Sequence, residues 1–344
     1  MELSPFFKLR NEATPALLEL LCKTTLGTNG AQYKHLDTTN RIAEADKPLF
    51  LSLERNNKVL GNITFCRRND DWYIRYFAFS SFFQASSHET LKSKRSTMLK
   101  NELEHFFEDA FKGKYNDGKP IQSMYAYIDP KNSRSKWMSE QFGFNTIAQL
   151  VTQSYSRLYP KSSERLSKTN DWELIEPLVT KQFGQSSYFN VIHSKNRPFY
   201  AICDDKNDVI AFSKINTVNW EIVRLPGKFG GILTQLIPLI PFLNKLIQPN
   251  LHTFLVPEIV YCKNNNAVLL DELFSGILAA EKRNVILWWT DENDPSYLAI
   301  KKHIKWGLLN TLIGVSKVDV VQRKHPANKE SYTKPMFVSA WDLI

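Results

Sequence analysis

Pro48 to Gly61 reads PLFLSLERNNKVLG, and Pro198 to Ala211 reads PFYAICDDKNDVIA. At a constant offset Pro48 pairs with Pro198, Phe50 with Tyr200, Asn57 with Asn207, Val59 with Val209 and Leu60 with Ile210. Both stretches read as strand, polar turn and strand, which is a β-hairpin. Each is followed by aromatic and β-branched residues that predict a further strand, WYIRYFAF from Trp72 and WEIV from Trp220. A second pair of blocks lies downstream. MYAYID (Met124 to Asp129) and ILWWTD (Ile286 to Asp291) are short apolar strands ending at an aspartate, each with a polar turn and a helix after it. A helix also precedes each one. Leu99, Leu103, Phe106, Phe107, Ala110 and Phe111 make one apolar face in the first half, and Leu269, Leu270, Leu273, Phe274, Ile277 and Leu278 make another in the second. Two matched blocks in the same order indicate duplication. The expected fold class is α/β: two tandem units, each a mixed sheet flanked by helices.

The polar segment YPKSSERLSKTND, Tyr159 to Asp171, reads as a linker. The expected units are therefore residues 1–158 and 172–344, joined by 159–171. The second carries an apolar insertion at 226–250, PGKFGGILTQLIPLIPFLNKLIQPN without its first-half counterpart. Pro238 and Pro241 interrupt any helix there. The insertion is too short to span a bilayer; its simplest role is to plug the core or mask an interface, and it can also cover a cleft, accept an acyl chain or touch a membrane surface.

With 344 residues, 43% hydrophobic and 12% aromatic, the chain has the material for two cores. Cys22, Cys66, Cys203 and Cys262 are far apart and lack CxxC spacing, which argues against a disulfide framework or a zinc site and for a reducing cytoplasm. Glu2, Lys8 and Arg10 argue against a secretory leader. The net charge of +9 favours anionic partners. Its basic residues are scattered and lack an aromatic-basic nucleic-acid signature, so nucleic acid is not the expected partner. The histidines show no HExxH spacing and no GxSxG elbow occurs, so no metal site and no α/β-hydrolase is expected.

The order of elements resembles that of the GNAT acyltransferase superfamily, and the most specific residues are Asn132 to Phe144, NSRSKWMSEQFGF. Asn132, Ser135, Met138, Gly143 and Phe144 match the family pattern there, and Ser139 stands where the family has tyrosine. In the second half, anchoring on Gly307-Leu308 puts Ser296, Ala299, Lys302 and His303 in the same slots.

The resemblance implies a coenzyme A-dependent N-acyltransferase. Acetyl-CoA or another acyl-CoA is then the co-substrate, and a small-molecule or peptide amine is the acceptor. The family's glycine-rich phosphate loop has no counterpart in QASSHETLKSKRSTM, Gln84 to Met98. Lys92, Lys94 and Arg95 stand as its substitutes, with Asn132 at the helix start and Asn264, Asn265 and Asn266 at the corresponding helix start of the second half. The general acid falls on His303, in the tyrosine slot, and the base on Glu258, on the long strand of the second half. These place the expected catalytic cleft in the second half. The missing glycines and Ser139 favour the other reading, a non-catalytic ligand-binding or scaffold protein on the same fold.

Overall fold

A computed structural model of the chain describes residues 1–27, 30–56, 58–79, 94–191, 198–328 and 335–343. Asn57, of the first matched block, lies outside them. The first half runs β1 (Phe7–Arg10), α1 (Pro15–Lys23), β2 (Gln32–His35), α2 (Thr38–Ala43), β3 (Leu49–Arg55), β4 (Lys58–Arg68), β5 (Asp71–Phe79), α3 (Lys94–Phe111), β6 (Ser123–Ile128), α4 (Ser133–Gln141) and β7 (Asn145–Ser156). The second runs β8 (Leu166–Thr169), α5 (Trp172–Phe183), β9 (Phe199–Cys203), β10 (Val209–Arg224), α6 (Gly230–Leu236), α7 (Pro241–Asn244), β11 (His252–Cys262), α8 (Ala267–Ala280), β12 (Val285–Asp291), α9 (Pro295–Ile300), α10 (Leu308–Ile313), β13 (Ser316–Lys324) and α11 (Ala340–Leu343). Local chemistry sets the helix starts. Thr14 before Pro15, Asn132, Asp171, Asn266 and Asp294 each accept a bond from a backbone N–H of the first turn.

All the described strands join one sheet, in the order β1-β3-β4-β5-β6-β13-β7-β12-β11-β10-β9-β8, with β2 on the end of β10. The order is a palindrome of the duplication. β1 answers to β8, β3 to β9, β4 to β10, β5 to β11, β6 to β12, and β7 to β13. Val59 and Val209 accordingly occupy the same strand of their hairpins. The pairings β5–β6 and β11–β12 are parallel, and the rest of the path is antiparallel. β13, late in the chain, lies between β6 and β7 of the first half. β12 is covered by β7 on one side, and all seven of its residues are buried, as expected of a strand covered on both faces.

Helices cover both faces. Leu103, Phe106, Phe107 and Phe111 of α3 pack on Leu51, Phe65, Trp72 and Val321, and α8 packs with Tyr297, Ile300 and Ile304 on Val151, Leu255 and Ile286. The other face carries Leu17 and Leu21 of α1, α5, Leu309 of α10 and the buried residues of the insertion, Ile237, Leu246 and Ile247. Gly307, at φ +96°, lets the chain turn over the end of β7; a Cβ there would meet the Ser156 carbonyl oxygen at 2.1 Å.

Three expectations need correction. WEIV is not a separate strand but the end of β10, and the strand that answers to WYIRYFAF is β11. Leu166–Thr169, inside the expected linker, forms edge strand β8 against β9. Beyond α9 the second half inserts α10 ahead of its closing strand, where the first half has only a turn at Gly143. No helix among the described residues is long and apolar enough to cross a membrane.

The exchange of β7 and β13 has a consequence for folding. Residues 1–158 alone leave the inner edge of β6 without its partner. Expressed by itself, this fragment is expected to aggregate or to lack cooperative unfolding by circular dichroism, and co-expression with residues 159–344 to restore one complex on size exclusion. A monomeric 1–158 fragment that unfolds cooperatively contradicts this.

Candidate functional site

The hydrogen-bonded register of β5 and β6 stops at Ile74 and Ala126, although β5 runs on to Phe79 and β6 to Ile128. On its other side, β5 pairs Ile74 with Phe65 and Tyr76 with Thr64, so Arg75 is the extra residue of a β-bulge. Such a bulge bends the strand that carries it. β5 swings away from β6, and a cavity of about 840 Å³ opens where they part. Its lining draws on both faces of the sheet: Ile74, Leu103, Phe107 and Phe144 from the α3 side, and Tyr127, Trp220, Leu287 and Trp289 from the other. Only a gap in the sheet allows that. The volume and the largely apolar wall suit a small-molecule or cofactor site.

The polar groups are few and localised. Asn132, Ser135, Met138 and Ser139 of the α4 region line the cavity. Asn132 Oδ1 accepts from the Ser135 N–H at 3.0 Å, and the Ser139 hydroxyl donates to the Lys136 carbonyl at 2.7 Å. Asp129, at the end of β6, accepts from the Lys131 N–H. Arg75 and Tyr76 line the opposite lip, with the guanidinium over the Tyr76 ring and the Tyr76 hydroxyl buried beneath it. An aromatic wall closes the far end, where Tyr33 stacks on Trp220 at 3.9 Å between centroids and His35 tilts against the same indole. Burial, reinforced by the positive charges of Arg75 and Arg41, depresses His35 to about 3. Burial lowers His252 to about 4, and burial with the Asp129 charge lifts Tyr33 to about 12. These groups are neutral at pH 7. A buried charge network forms the floor: Arg68 pairs with Asp342 at 2.5 Å, Tyr125 donates to Asp342 Oδ2 at 3.0 Å, and Tyr73 donates to the Asp342 carbonyl. Composition gives no hint of this network, because its members are far apart in the chain.

The second half has the same opening. β11 and β12 register only at Leu255 and Ile286, and Glu258 is the bulged residue between Pro257 and Ile259, the counterpart of Arg75. Here the opening is covered. The segment from Pro335 runs beside Ser187, with the Phe337 N–H bonded to the Ser187 carbonyl at 2.9 Å. The Met336 N–H bonds the Asp291 carboxylate at 2.8 Å, and the Ser339 hydroxyl bonds Glu258 at 3.4 Å. Glu258 is fully buried and ion-paired with Lys214 at 3.5 Å. The expected pairing of Glu258 with His303 is not met. Ser339 approaches Glu258 from the α5 and α10 face, whereas α9 packs with α8 on the other. α9 ends at Ile300, so His303 sits exposed on the following turn instead of on a helix. Neither residue lines the cavity, which opens between first-half strands β5 and β6 and is walled in part by the second half.

The other expected ligand residues divide. Lys92 lies outside the described residues, as do the side chains of Lys94 and Arg95, the first two residues of α3. Asn264, Asn265 and Asn266 are exposed and away from the cavity. The first two adopt left-handed backbone, and Asn266 caps α8 through the Val268 and Leu269 N–H groups. Sequence reading missed Arg75, Tyr76, Tyr127 and the Tyr33–His35–Trp220 wall. The one signal available was the density of aromatic residues in WYIRYFAF and MYAYID.

No protein-family model matches the chain, and no curated protein matches its sequence. Solved structures do. A tandem GNAT protein from the clavulanic acid biosynthesis pathway superposes with a TM-score of 0.54 at 9% identity, covering 94% of this chain and 100% of that one. The N-myristoyltransferase of Saccharomyces cerevisiae with bound myristoyl-CoA gives 0.54 at 10% identity, covering 98% and 90%. A GCN5-related N-acetyltransferase from Sphaerobacter thermophilus gives 0.51 at 10% identity, covering 96% and 100%. The chain has a tandem GNAT fold.

Neutral buried histidines make stability depend on pH. The unfolded chain binds protons near the ordinary value of 6.5, and the folded His35 only near 3. Stability is therefore full above about pH 6.5 and falls as pH drops toward 3, by up to about 1.4 kcal/mol per unit for this group. His35→Phe is expected to flatten the decline in urea-denaturation stability between pH 7 and pH 5. An unchanged slope contradicts the assignment.

Proposed function

We propose that the chain is a coenzyme A-dependent N-acyltransferase working in the β5–β6 gap of the first half. One contrast carries this reading. Of two equivalent openings, the one with Arg75 and Asp129 holds a cavity, and the one with Glu258 and Asp291 is covered. The tandem GNAT neighbours and the myristoyl-CoA complex support the class of co-substrate.

In this reading the pantetheine arm lies in the gap, beside Asn132 and Ser135 at the start of α4, where the positive end of the helix dipole favours a polar ligand. The pyrophosphate extends toward the start of α3 and the basic residues Lys92, Lys94 and Arg95. The thioester carbonyl meets the backbone where β5 and β6 part, and N–H groups of the diverging strands stabilise the oxygen as it gains charge. The acceptor amine attacks the carbonyl carbon from the Tyr127 and Trp220 side. The C–N bond forms, the C–S bond breaks, the nitrogen gives up one proton to solvent, and the thiolate takes one from a side-chain acid. Ser139 is a poor donor for that step, since its hydroxyl is a very weak acid already bonded to the Lys136 carbonyl. Tyr76, which burial keeps protonated and which lies beside the Arg75 guanidinium, is the better candidate. The apolar end at Leu287 and Trp289 favours an acyl chain longer than acetyl, or an apolar acceptor. The non-catalytic alternative rests on Ser139 and on the absence of glycine between Gln84 and Met98.

Thermal unfolding with acetyl-, succinyl- and long-chain acyl-CoA tests the reading. A ligand at 100 times its dissociation constant stabilises by about 2.7 kcal/mol. Ser135→Trp, at the gap, is expected to remove the shift without changing ligand-free unfolding. The double change Lys214→Met with Glu258→Leu removes the buried pair together, is expected to be near neutral for folding, and should leave the shift intact. No shift with any acyl-CoA leaves the non-catalytic reading standing. A shift lost in the double variant and kept in Ser135→Trp moves the site to the second half.

A further inference from the structure

We propose that the face formed by α6, α7 and α10 docks on an anionic lipid bilayer, around the mouth of the cavity. The insertion buries Ile237, Leu246 and Ile247 against Leu225 and Phe254 but leaves other large apolar side chains outside. Phe229 is 69% exposed, Ile232 57%, Leu239 76% and Phe242 51%. Pro238 and Pro241 break the segment into short helices, so its outward residues form a ridge instead of one continuous stripe. Beside it, α10 and the loop after it expose Leu312, Ile313 and Val315. Leu309 of α10 packs in the same core cluster as Leu225, Ile237 and Ile247, which places the two exposed ridges side by side.

Two independent observations select the partner. The first is charge. From Ile222 to Pro257 the chain has no aspartate or glutamate, and its charged residues are Arg224, Lys228 and Lys245, all exposed. From Pro295 to Val318 there is again no acidic residue. Apolar residues set among cations alone match an anionic bilayer interface, where lipid tails take the apolar side chains and headgroups the basic ones. The second is position. Leu225, just before the insertion, and Pro226 and Ile247 within it line the cavity, and Ile313 and Val315 both line it and stand exposed at its rim. The docked face is therefore the face through which a membrane-resident amphiphile enters the gap. Docking itself does not depend on what the cavity binds.

The test is co-sedimentation of the full chain, without any acyl-CoA, with vesicles of phosphatidylcholine alone or with about a third phosphatidylglycerol. The wild type is expected to pellet with the anionic vesicles, less with the neutral ones, and less as salt rises. The triple variant Phe229→Ser, Leu239→Ser, Phe242→Ser is expected to partition at least about tenfold less while unfolding at the same temperature, since these side chains are outside the core. Lys228→Gln with Lys245→Gln is expected to lose the preference for anionic vesicles. Wild type left in the supernatant with both vesicles overturns the proposal, as does equal pelleting of wild type and triple variant. A concentration-dependent dimer that the triple variant abolishes, without vesicle binding, assigns the face to a second copy and overturns it too. A chain that binds vesicles but shows no thermal shift with acyl-CoA keeps this proposal and loses the acyltransferase reading.

Discussion

β13 makes its ladder bonds to β6 on one edge and β7 on the other, and both partners belong to the first half. β7 in turn closes the exposed edge of β12. Each half thus completes its sheet with the closing strand of the other. A parallel pair such as β5–β6 needs something to occupy its free edge, because unpaired strand edges leave backbone groups unsatisfied. Meeting that need by exchange makes one sheet of two duplicated units and fixes their relative position. Packing then continues over the seam, where Val320, Leu150 and Leu287 share a cluster with Leu225 and Leu309.

The gap is a product of the same sheet. Parallel strands whose register stops early, with a bulge where it stops, must diverge. Duplication gives two such places, at Arg75 and at Glu258. What separates them is the segment from Pro335 to Leu343, present once. It covers Glu258 and Asp291 and then delivers Asp342 to Arg68, Tyr73 and Tyr125 beneath the first-half cavity. Isolated buried charges are costly, and Arg68 and Asp342 satisfy each other with added hydrogen bonds. One segment covers one opening and supports the other, so two equivalent openings in a symmetric fold end up different.

The apolar insertion belongs to the same asymmetry. It has no counterpart in the first half, yet it adds to the wall of the first-half cavity through Leu225, Pro226 and Ile247. Trp220, at the end of an unusually long β10, does likewise by pairing with β2 and stacking on Tyr33. The cavity is built on first-half strands and closed by second-half additions.

The duplicated hairpins, the apolar faces of α3 and α8, and the caps at Asn132 and Asn266 were legible in the sequence, because period, turn chemistry and capping act within a few residues. So was the cluster Asn132, Ser135, Met138 and Ser139 at the helix start that now lines the cavity. The sequence by itself therefore determined two copies of a mixed α/β unit and one candidate ligand-facing helix. Which unit keeps an open cleft was decided only by tertiary structure. Glu258 and His303 are ordinary choices for a base and an acid, but the chain folds Lys214 onto one and leaves the other exposed on a turn. Arg75 looks like any strand residue until the register with β4 makes it the extra residue of a bulge. A bulge is a relation between strands, and the cover over a cleft is a relation between distant segments. Neither has a local signature, because each depends on how separate strands and segments pair in space.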